Sequence, residues 1–197
     1  MMPDPITLMT DRLLLRAWRG ADRDSYAAMN ADPEVMEHFP STLTREQSDA
    51  QVDRIKSRFS ERGWGLWAVE VIDLAPDQMK VDFIGFVGLA IPLFKSHFTP
   101  CVEIGWRLAR SAWGHGYATE AAKAVIHFAF EQLKLPEIVS VTASCNHRSQ
   151  RVMQRLGMSH DPAENFDHPE LPAGDRLCRH VLYRLRNPSS PPRVSDA

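Results

Sequence analysis

The stretch from Cys101 to Leu133 changes its hydrophobic period partway along, and no other feature constrains the fold as strongly. Its first part alternates apolar with polar or small residues, which is typical of a half-buried strand ending near Arg110. The apolar positions of this strand are Val102, Ile104, Trp106 and Leu108. In the second part, one helical face carries Ala118, Ala122, Val125, Ile126, Ala129 and Leu133, at intervals of three or four residues. The strand must therefore lead directly into a helix.

Two glycines, Gly114 and Gly116, lie in the turn that joins this strand to this helix. Because glycine has no Cβ, a ligand can come close to the backbone there. The first N–H groups of a helix have no partners within the helix, and they attract anionic groups. The strand, the glycine turn and the helix start together predict a phosphate-binding site.

Three kinds of phosphate ligand can use such a site. A nucleoside triphosphate loop needs a lysine after the second glycine, whereas Tyr117 stands there. A dinucleotide fingerprint needs a third small residue, where the chain has Thr119, and an acidic residue closing the next strand, whereas Glu137 precedes that strand. The ligand that remains is a pyrophosphate held by backbone amides, without a metal ion or a lysine.

The turn resembles the acyl-coenzyme A signature of the GNAT superfamily of N-acetyltransferases, Gln/Arg-x-x-Gly-x-Gly/Ala. Here the signature reads Ser111 to Gly116, with Ser111 in the first position and Arg110 beside it. Four more blocks match the family in order, at residues 10–16, 32–36, 65–69 and 146–153. Together they resemble the branch of the ribosomal-protein alanine and serine N-acetyltransferases, over about residues 8 to 186.

The resemblance implies an α/β (α+β) fold with a mixed, mostly antiparallel central sheet. Helices flank this sheet, and the strands splay where the acyl-coenzyme A enters. A length of 197 residues fits one domain, which we place at residues 1–187. Residues 188–197 lack apolar spacing and are predicted to be a disordered tail.

Local patterns predict the remaining elements. Strands are expected at 13–18, 67–72, 83–91, 138–144 and 178–185, and helices at 22–30, 44–63 and 148–156. A polar turn is expected at 73–82, and a long irregular loop at 160–175. In the loop at 92–100, Phe94 and Phe98 either line the acceptor site or fold back as a small satellite core.

Composition excludes several classes of function. The formal net charge of −2 gives no broad field for nucleic acid or an anionic membrane. The three cysteines are far apart and predict neither a disulfide nor a zinc site. His160 and His168, in a proline-rich loop, match no compact ligand spacing, so no metal is expected. Without a leader or a membrane span, we predict a cytoplasmic protein, and an edge strand or the 92–100 loop is compatible with a homodimer.

The resemblance implies acetyl transfer from acetyl-CoA to a primary amine, by direct attack in a ternary complex. Glu103, on the polar face of the strand, is the candidate base, and the alternative is a solvent-facing glutamate paired with Arg107. Ser149 resembles the family serine near the departing thiolate, and the alternative is a helix cap. Asn146 resembles the asparagine that positions the coenzyme.

The coenzyme-binding set consists mainly of backbone groups. The amide of Leu108 is expected at the thioester carbonyl, as the resemblance implies. The phosphate cradle is assigned to the glycine turn and the helix start, at Gly114, His115, Gly116, Tyr117, Ala118 and Thr119. Arg110 and Arg151 are the first candidates for the phosphates, and solvated surface charge is their alternative role.

The acceptor is left open by the residues themselves. If the resemblance extends to substrate, the acceptor is a protein N-terminal amine. A small amine or an antibiotic would use the same donor chemistry. A non-catalytic acyl-CoA sensor and a nicotinamide-dependent enzyme are the alternatives of other classes. Release of free thiol separates the transferase from the sensor, whereas the nicotinamide-dependent enzyme would require stabilisation by a dinucleotide, and Thr119 argues against it.

Overall fold

The computed structural model describes residues 6–72 and 81–191. Within these residues the chain forms nine strands and four α-helices. The strands are β1 (Leu8–Met9), β2 (Leu13–Arg16), β3 (Leu66–Ile72), β4 (Val81–Ala90), β5 (Glu103–Leu108), β6 (Glu137–Ala143), β7 (Ser159–His160), β8 (Phe166–Asp167) and β9 (Arg179–Arg186). The helices are α1 (Asp22–Ala31), α2 (Arg45–Arg62), α3 (Tyr117–Glu131) and α4 (His147–Arg155).

One sheet contains all nine strands, in the order β1-β2-β3-β4-β5-β6-β9-β7, with β8 also paired to β9. Every pair is antiparallel except β5 with β6, which is parallel. β4 and β5 stay in register from Gly85 opposite Leu108 to Ala90 opposite Glu103. Among the described residues, β5 and β6 share one registered pair, Glu103 with Val139. The mixed, mostly antiparallel sheet is therefore confirmed, and it splays between β5 and β6.

Helices cover both faces of this sheet because neighbouring strand residues face opposite ways. Val87 packs with α3 in the largest apolar cluster, whereas Phe86 packs with α1 and α2 in a second cluster. The apolar stripe of α3 supplies Ala121, Ala122, Val125, Phe128 and Ala129, all buried. α1 and α2 supply Tyr26, Met29, Val52 and Ile55. The sheet is therefore covered by α1 and α2 on one face and by α3 on the other.

Several predicted boundaries are confirmed, and others need correction. α2 begins after Thr44, which forms a capping box with Gln47, and it ends at Gly63 in the left-handed region. The predicted loop at 160–175 is wrong in part, because its beginning contains two short strands that pair with β9. The two-residue strand β1 was also not predicted. Such short strands form through pairing with a longer neighbour, so local pattern gives little sign of them.

Two predicted segments extend beyond the described residues. Of the turn expected at 73–82, residues 73–80 lie outside them, and β4 already begins at Val81. Of the tail expected at 188–197, residues 188–191 include a turn in which the N–H of Ser190 donates to the carbonyl of Asn187. The rest of the tail lies outside the described residues, and its disorder stays a prediction.

Gly85 sets the backbone of β4 against β5, and we expect its replacement to be costly. Its φ is +131°, and an added Cβ would lie 2.2 Å from the carbonyl oxygen of Arg107. Gly85→Ala should lower the free energy of unfolding by about 3 kcal/mol, because backbone strain and overpacking act together. Urea unfolding measures this loss.

Gly105 offers a matched control on the adjacent strand, since a Cβ there would meet no atom within 4 Å. Gly105→Ala should change the free energy of unfolding by less than about 0.5 kcal/mol. Equal losses in the two variants would contradict this account of the β4–β5 contact.

Candidate active site

The splay between β5 and β6 opens a groove of about 850 Å³. Its walls come from β5, β6, the glycine turn, the first turns of α3 and α4, and the segment at 34–40. Eleven of the twelve predicted site residues line it, namely Glu103, Leu108, Arg110, Gly114, Gly116, Tyr117, Ala118, Thr119, Asn146, Ser149 and Arg151. The twelfth, His115, lines an adjacent depression of about 590 Å³ instead. The fold thus brings together blocks that lie up to 48 positions apart in the sequence (103 to 151).

The glycine turn adopts the conformation that its two glycines permit. Gly114 and Gly116 both have φ of +82°, a region that other residues rarely adopt. Gly116 is the N-cap of α3, and no side chain caps the first-turn N–H groups there. A Cβ on Gly114 would meet no atom within 4 Å, so the space beside the turn is open. These features fit a phosphate ligand held by backbone amides.

An ion pair from the start of the chain fixes this turn, and sequence reasoning did not find it. Arg12, between β1 and β2, pairs with Glu120 in the first turn of α3, and Thr10 donates to the same carboxylate at 2.6 Å. Arg12 also donates through Nη2 to the carbonyl of His115 at 3.2 Å and stacks on Tyr117. The only sequence signal was the block at residues 10–16, which gave no indication of its partner.

Two arginines, Arg110 and Arg148, lie close to the ring of Trp113, which lines the groove. The guanidinium carbons of Arg110 and Arg148 lie 5.2 and 4.6 Å from the centre of its ring, and its Nε1 donates to the carbonyl of Leu108 at 2.9 Å. Arg110 is paired with Glu34, whereas Arg151 is exposed and forms no ion pair within the described part of the chain. Arg151 is therefore the more accessible cation for a phosphate.

The amide of Leu108 faces the gap between the two splayed strands. Backbone groups of successive strand residues point to opposite edges. The N–H of Ala109 donates to the carbonyl of Ile84 on the β4 side. The N–H of Leu108 therefore points to the opposite side, toward β6. No residue of β6 is registered opposite it among those described. This is the location that a donor to a ligand carbonyl requires.

Asn146 and Ser149 form a small network with Thr142 at the start of α4. The Asn146 Nδ2 donates to Thr142 Oγ1 at 2.9 Å and to Ser149 Oγ at 3.1 Å, and its Oδ1 accepts from the Ser149 N–H. The helix cap is therefore Asn146 rather than Ser149. Because the Ser149 hydroxyl oxygen accepts a hydrogen bond, its own hydrogen remains available for a ligand.

Glu103 is half-buried on the floor of the groove. Burial raises the pKa of its carboxyl from 4.5 to about 7, and a hydrogen bond from the Val141 backbone N–H opposes part of this rise. A carboxyl with this pKa can accept a proton near neutral pH. The alternative pairing with Arg107 does not occur, because the guanidinium of Arg107 instead donates to Asn30 at 2.7 Å.

Clusters of metal ligands and membrane-spanning helices are both absent from the described residues. In residues 6–72 and 81–191, no three histidine, cysteine or acidic side chains lie close enough together to hold a metal ion. In the same residues, no helix combines the length and the apolar character needed to cross a membrane.

Comparison with known proteins gives one consistent family. A family model described as an acetyltransferase (GNAT) domain matches residues 12–159. The FsC-acetyl coenzyme A-N(2)-transacetylase of Aspergillus fumigatus is 31% identical over 199 aligned positions, which cover 93% of this chain and 80% of that protein.

Solved structures share the fold. An acetyltransferase from Agrobacterium tumefaciens is 28% identical with a TM-score of 0.70, and the match covers 92% of this chain and 94% of that one. The ribosomal L7/L12 alpha-N-protein acetyltransferase RimL, solved in complex with coenzyme A, is 14% identical with a TM-score of 0.69. That match covers 92% of this chain and 98% of RimL, and at this identity it speaks for the fold alone.

The raised pKa of Glu103 has a consequence for stability. Between its ordinary value of 4.5 and about 7, the folded protein holds a proton that the unfolded chain has released. Folding stability therefore falls as the pH rises through this window. Glu103→Gln lacks this loss, so its free energy of unfolding relative to the wild type should increase by about 1–3 kcal/mol from about pH 5 to about pH 8.

Urea unfolding of both proteins at the two pH values measures this difference. The other titrating groups cancel, because the two proteins share them. A difference that does not change with pH would contradict a raised pKa at Glu103.

Proposed function

Because this chain belongs to the GNAT acetyltransferase family and is an acetyl-CoA-dependent N-acetyltransferase, we propose that it transfers the acetyl group to a protein N-terminal amine by direct attack in a ternary complex. The observation that carries this proposal is the groove, which joins the phosphate-type turn at Gly114 to Gly116 with Glu103 on one splayed strand and Ser149 beside the other. Acceptors of this kind need an open approach to the reacting atoms, and the splay supplies one.

The residues of the groove fit acetyl-CoA. The open space at Gly114 and the uncapped start of α3 suit the pyrophosphate, since amides there carry no competing side chain. Arg151 lies beside the same groove without an ion-pair partner among the described residues. The amide of Leu108 would accommodate a carbonyl between β5 and β6. Bound there, acetyl-CoA supplies an acetyl group activated as a thioester.

In the proposed mechanism Glu103 accepts the proton that the amine loses, directly or through one water molecule. Its pKa of about 7 leaves a useful fraction ionised at neutral pH. The N–H of Leu108 stabilises negative charge that develops on the carbonyl oxygen. Ser149, held by Asn146, donates a hydrogen bond from its hydroxyl to the departing sulfur, which leaves as a thiolate and takes up a proton from water. No covalent bond to the enzyme is needed, and holding both reactants can lower the barrier by about 7–11 kcal/mol.

A small-molecule amine is the second candidate acceptor, and one relative favours it. The Aspergillus fumigatus protein is named for transacetylation at an N(2) position rather than for a protein substrate. RimL, by contrast, is described as acting on a protein α-amine. Phe94 and His168, both half-buried, line the groove and offer aromatic surface to either acceptor.

A thermal-shift panel followed by turnover tests this proposal. Acetyl-CoA and coenzyme A should each raise the melting temperature, whereas NAD and ATP should not, because a ligand of the native state stabilises by RT ln(1 + [L]/Kd). Acceptors are then compared by release of free thiol, beginning with N-terminal peptides and small amines. Stabilisation without thiol release from any amine would favour an acyl-CoA sensor, and a response to NAD or ATP alone would contradict the donor site.

Gly116→Val should weaken coenzyme A binding by at least about tenfold, because its side chain would project beside the amides that hold the phosphates. Isothermal titration measures the affinity. Gly174→Val is the matched control, since Gly174 also has a positive φ (+85°) and open space but lies outside the groove. Equal affinity in the two variants would contradict the phosphate cradle.

Glu103→Gln should lower kcat/KM by about 100- to 10,000-fold, with little change in coenzyme A affinity. The loss should be largest below the pH at which the amine is itself uncharged, because proton removal matters most there. The wild-type profile should also show an inflection near pH 7, which the variant lacks. Identical pH–rate profiles would remove Glu103 from the mechanism.

A further inference from the structure

Arg107 on β5 is a buried cation without a carboxylate partner among the described residues. It is 8% exposed and lines the groove. Its Nη1 donates to Asn30 Oδ1 at 2.7 Å, and its Nε is fully buried with no hydrogen-bond partner. Its Nη2 makes no hydrogen bond within the described part of the chain and is not among the fully buried atoms. That nitrogen therefore has both a free hydrogen-bonding capacity and access to the groove.

The surroundings of Arg107 are neutral. Its guanidinium carbon lies 4.0 Å from the ring centre of Phe39 and 5.6 Å from that of Phe86. Tyr26 and Asn30, from α1, are the other described residues that act on it, and both are uncharged partners. Burying a cation against rings and an amide costs free energy, which is offset when an anion is bound.

Other arginines of this chain that lie out of water have carboxylate partners. Arg16, 5% exposed, pairs with both Asp22 and Glu70. Arg184 pairs with Glu137 and Glu164. Arg107 differs from both by facing a groove that can admit a ligand. A bound anion would supply the charge that Asp22 and Glu70 supply to Arg16.

Arg107 also lies on the same face of β5 as Glu103, with Gly105 between them. Their Cα atoms are separated by four residues, about 13 Å along an extended strand. A Cβ on Gly105 would meet no atom within 4 Å, so the floor between the two side chains is open. A ligand lying on this floor can contact Glu103 at one end and Arg107 at the other.

We propose that Arg107 binds a carboxylate of the acceptor, so that the acceptor is a primary amine that also carries a carboxylate several bonds away. This inference rests on the proposed function, which makes the acceptor an amine. Arginine suits this role because its planar fork matches a carboxylate and keeps its charge. Asn30 is a positioning residue that orients the guanidinium. An acidic side chain near a peptide N-terminus and the carboxylate of a small amino acid are the two sources of this chemistry.

Matched acceptor pairs test the proposal. One pair is a peptide with aspartate as its second residue and its asparagine twin, and the other is 4-aminobutyrate and 4-aminobutyramide. In the pair from the true source, kcat/KM measured by thiol release should favour the carboxylate by about 10- to 100-fold, the range for a hydrogen bond to a charged group. The other pair should show a smaller ratio, which identifies the source.

Arg107→Met should reduce this ratio to about one, because the carboxylate member loses its ion pair whereas the amide member has none to lose. Methionine fills similar volume against Phe39 and Phe86, and any effect on folding that both members share cancels in the ratio. Arg62→Met is the control, because Arg62 also stacks on a ring, that of Trp64, and does not line the groove. It should leave the ratio unchanged. A merely structural role for Arg107 would slow both members of each pair equally.

Binding of the same four compounds to the coenzyme A-saturated protein, followed by thermal shift, gives a readout that does not depend on turnover. Carboxylate-selective stabilisation that disappears in Arg107→Met, with no thiol release from any amine, would support the anion site and overturn the proposed function. Equal response to carboxylate and amide in the wild type, or selectivity retained in Arg107→Met, would overturn the anion site.

Discussion

Among the described residues, β5 and β6 diverge after one registered pair, Glu103 with Val139, and the candidate site depends on this divergence. A parallel pair needs a crossover between its strands, and here the crossover is the glycine turn followed by α3. Where the strands diverge, backbone groups such as the N–H of Leu108 lose the partners that a continuous ladder would give. Buried backbone groups require hydrogen-bond partners. A ligand with amide-like groups of its own can supply them along this edge.

Desolvation shifts the pKa values of two ionisable side chains that line the groove. Burial raises the pKa of Glu103 to about 7, and it lowers that of Arg107, although both residues lie on one strand face. Had the two side chains met, each would have stabilised the charge of the other, and Glu103 would be a poor base near neutral pH. The spacing along an extended strand keeps them about 13 Å apart at Cα. Asn30 accepts a hydrogen bond from Arg107 without adding a charge.

Much of this arrangement could be predicted from the sequence where it depends on local rules. The change of period placed β5 and α3, and the glycines between them placed the turn with its positive φ values. Long-range pairings could not be predicted in this way. The pairing of Arg12 with Glu120 joins positions 108 residues apart, and nothing near either residue signals the other. His115 was expected in the phosphate cradle with its neighbours. It lines the adjacent depression instead, and its carbonyl accepts a hydrogen bond from Arg12.

The divergence of the strands also separates the two polar side chains of the proposed mechanism. Glu103 belongs to β5, whereas Ser149 is held by Asn146 and Thr142 at the end of β6 and the start of α4. A hydroxyl in contact with Glu103 would donate its hydrogen bond to that carboxylate rather than to the sulfur. Placed on different walls of the splay, Glu103 can take a proton from the amine while the Ser149 hydroxyl donates a hydrogen bond to the departing sulfur. The divergence of β5 and β6 therefore also keeps the proposed base apart from the proposed hydrogen-bond donor.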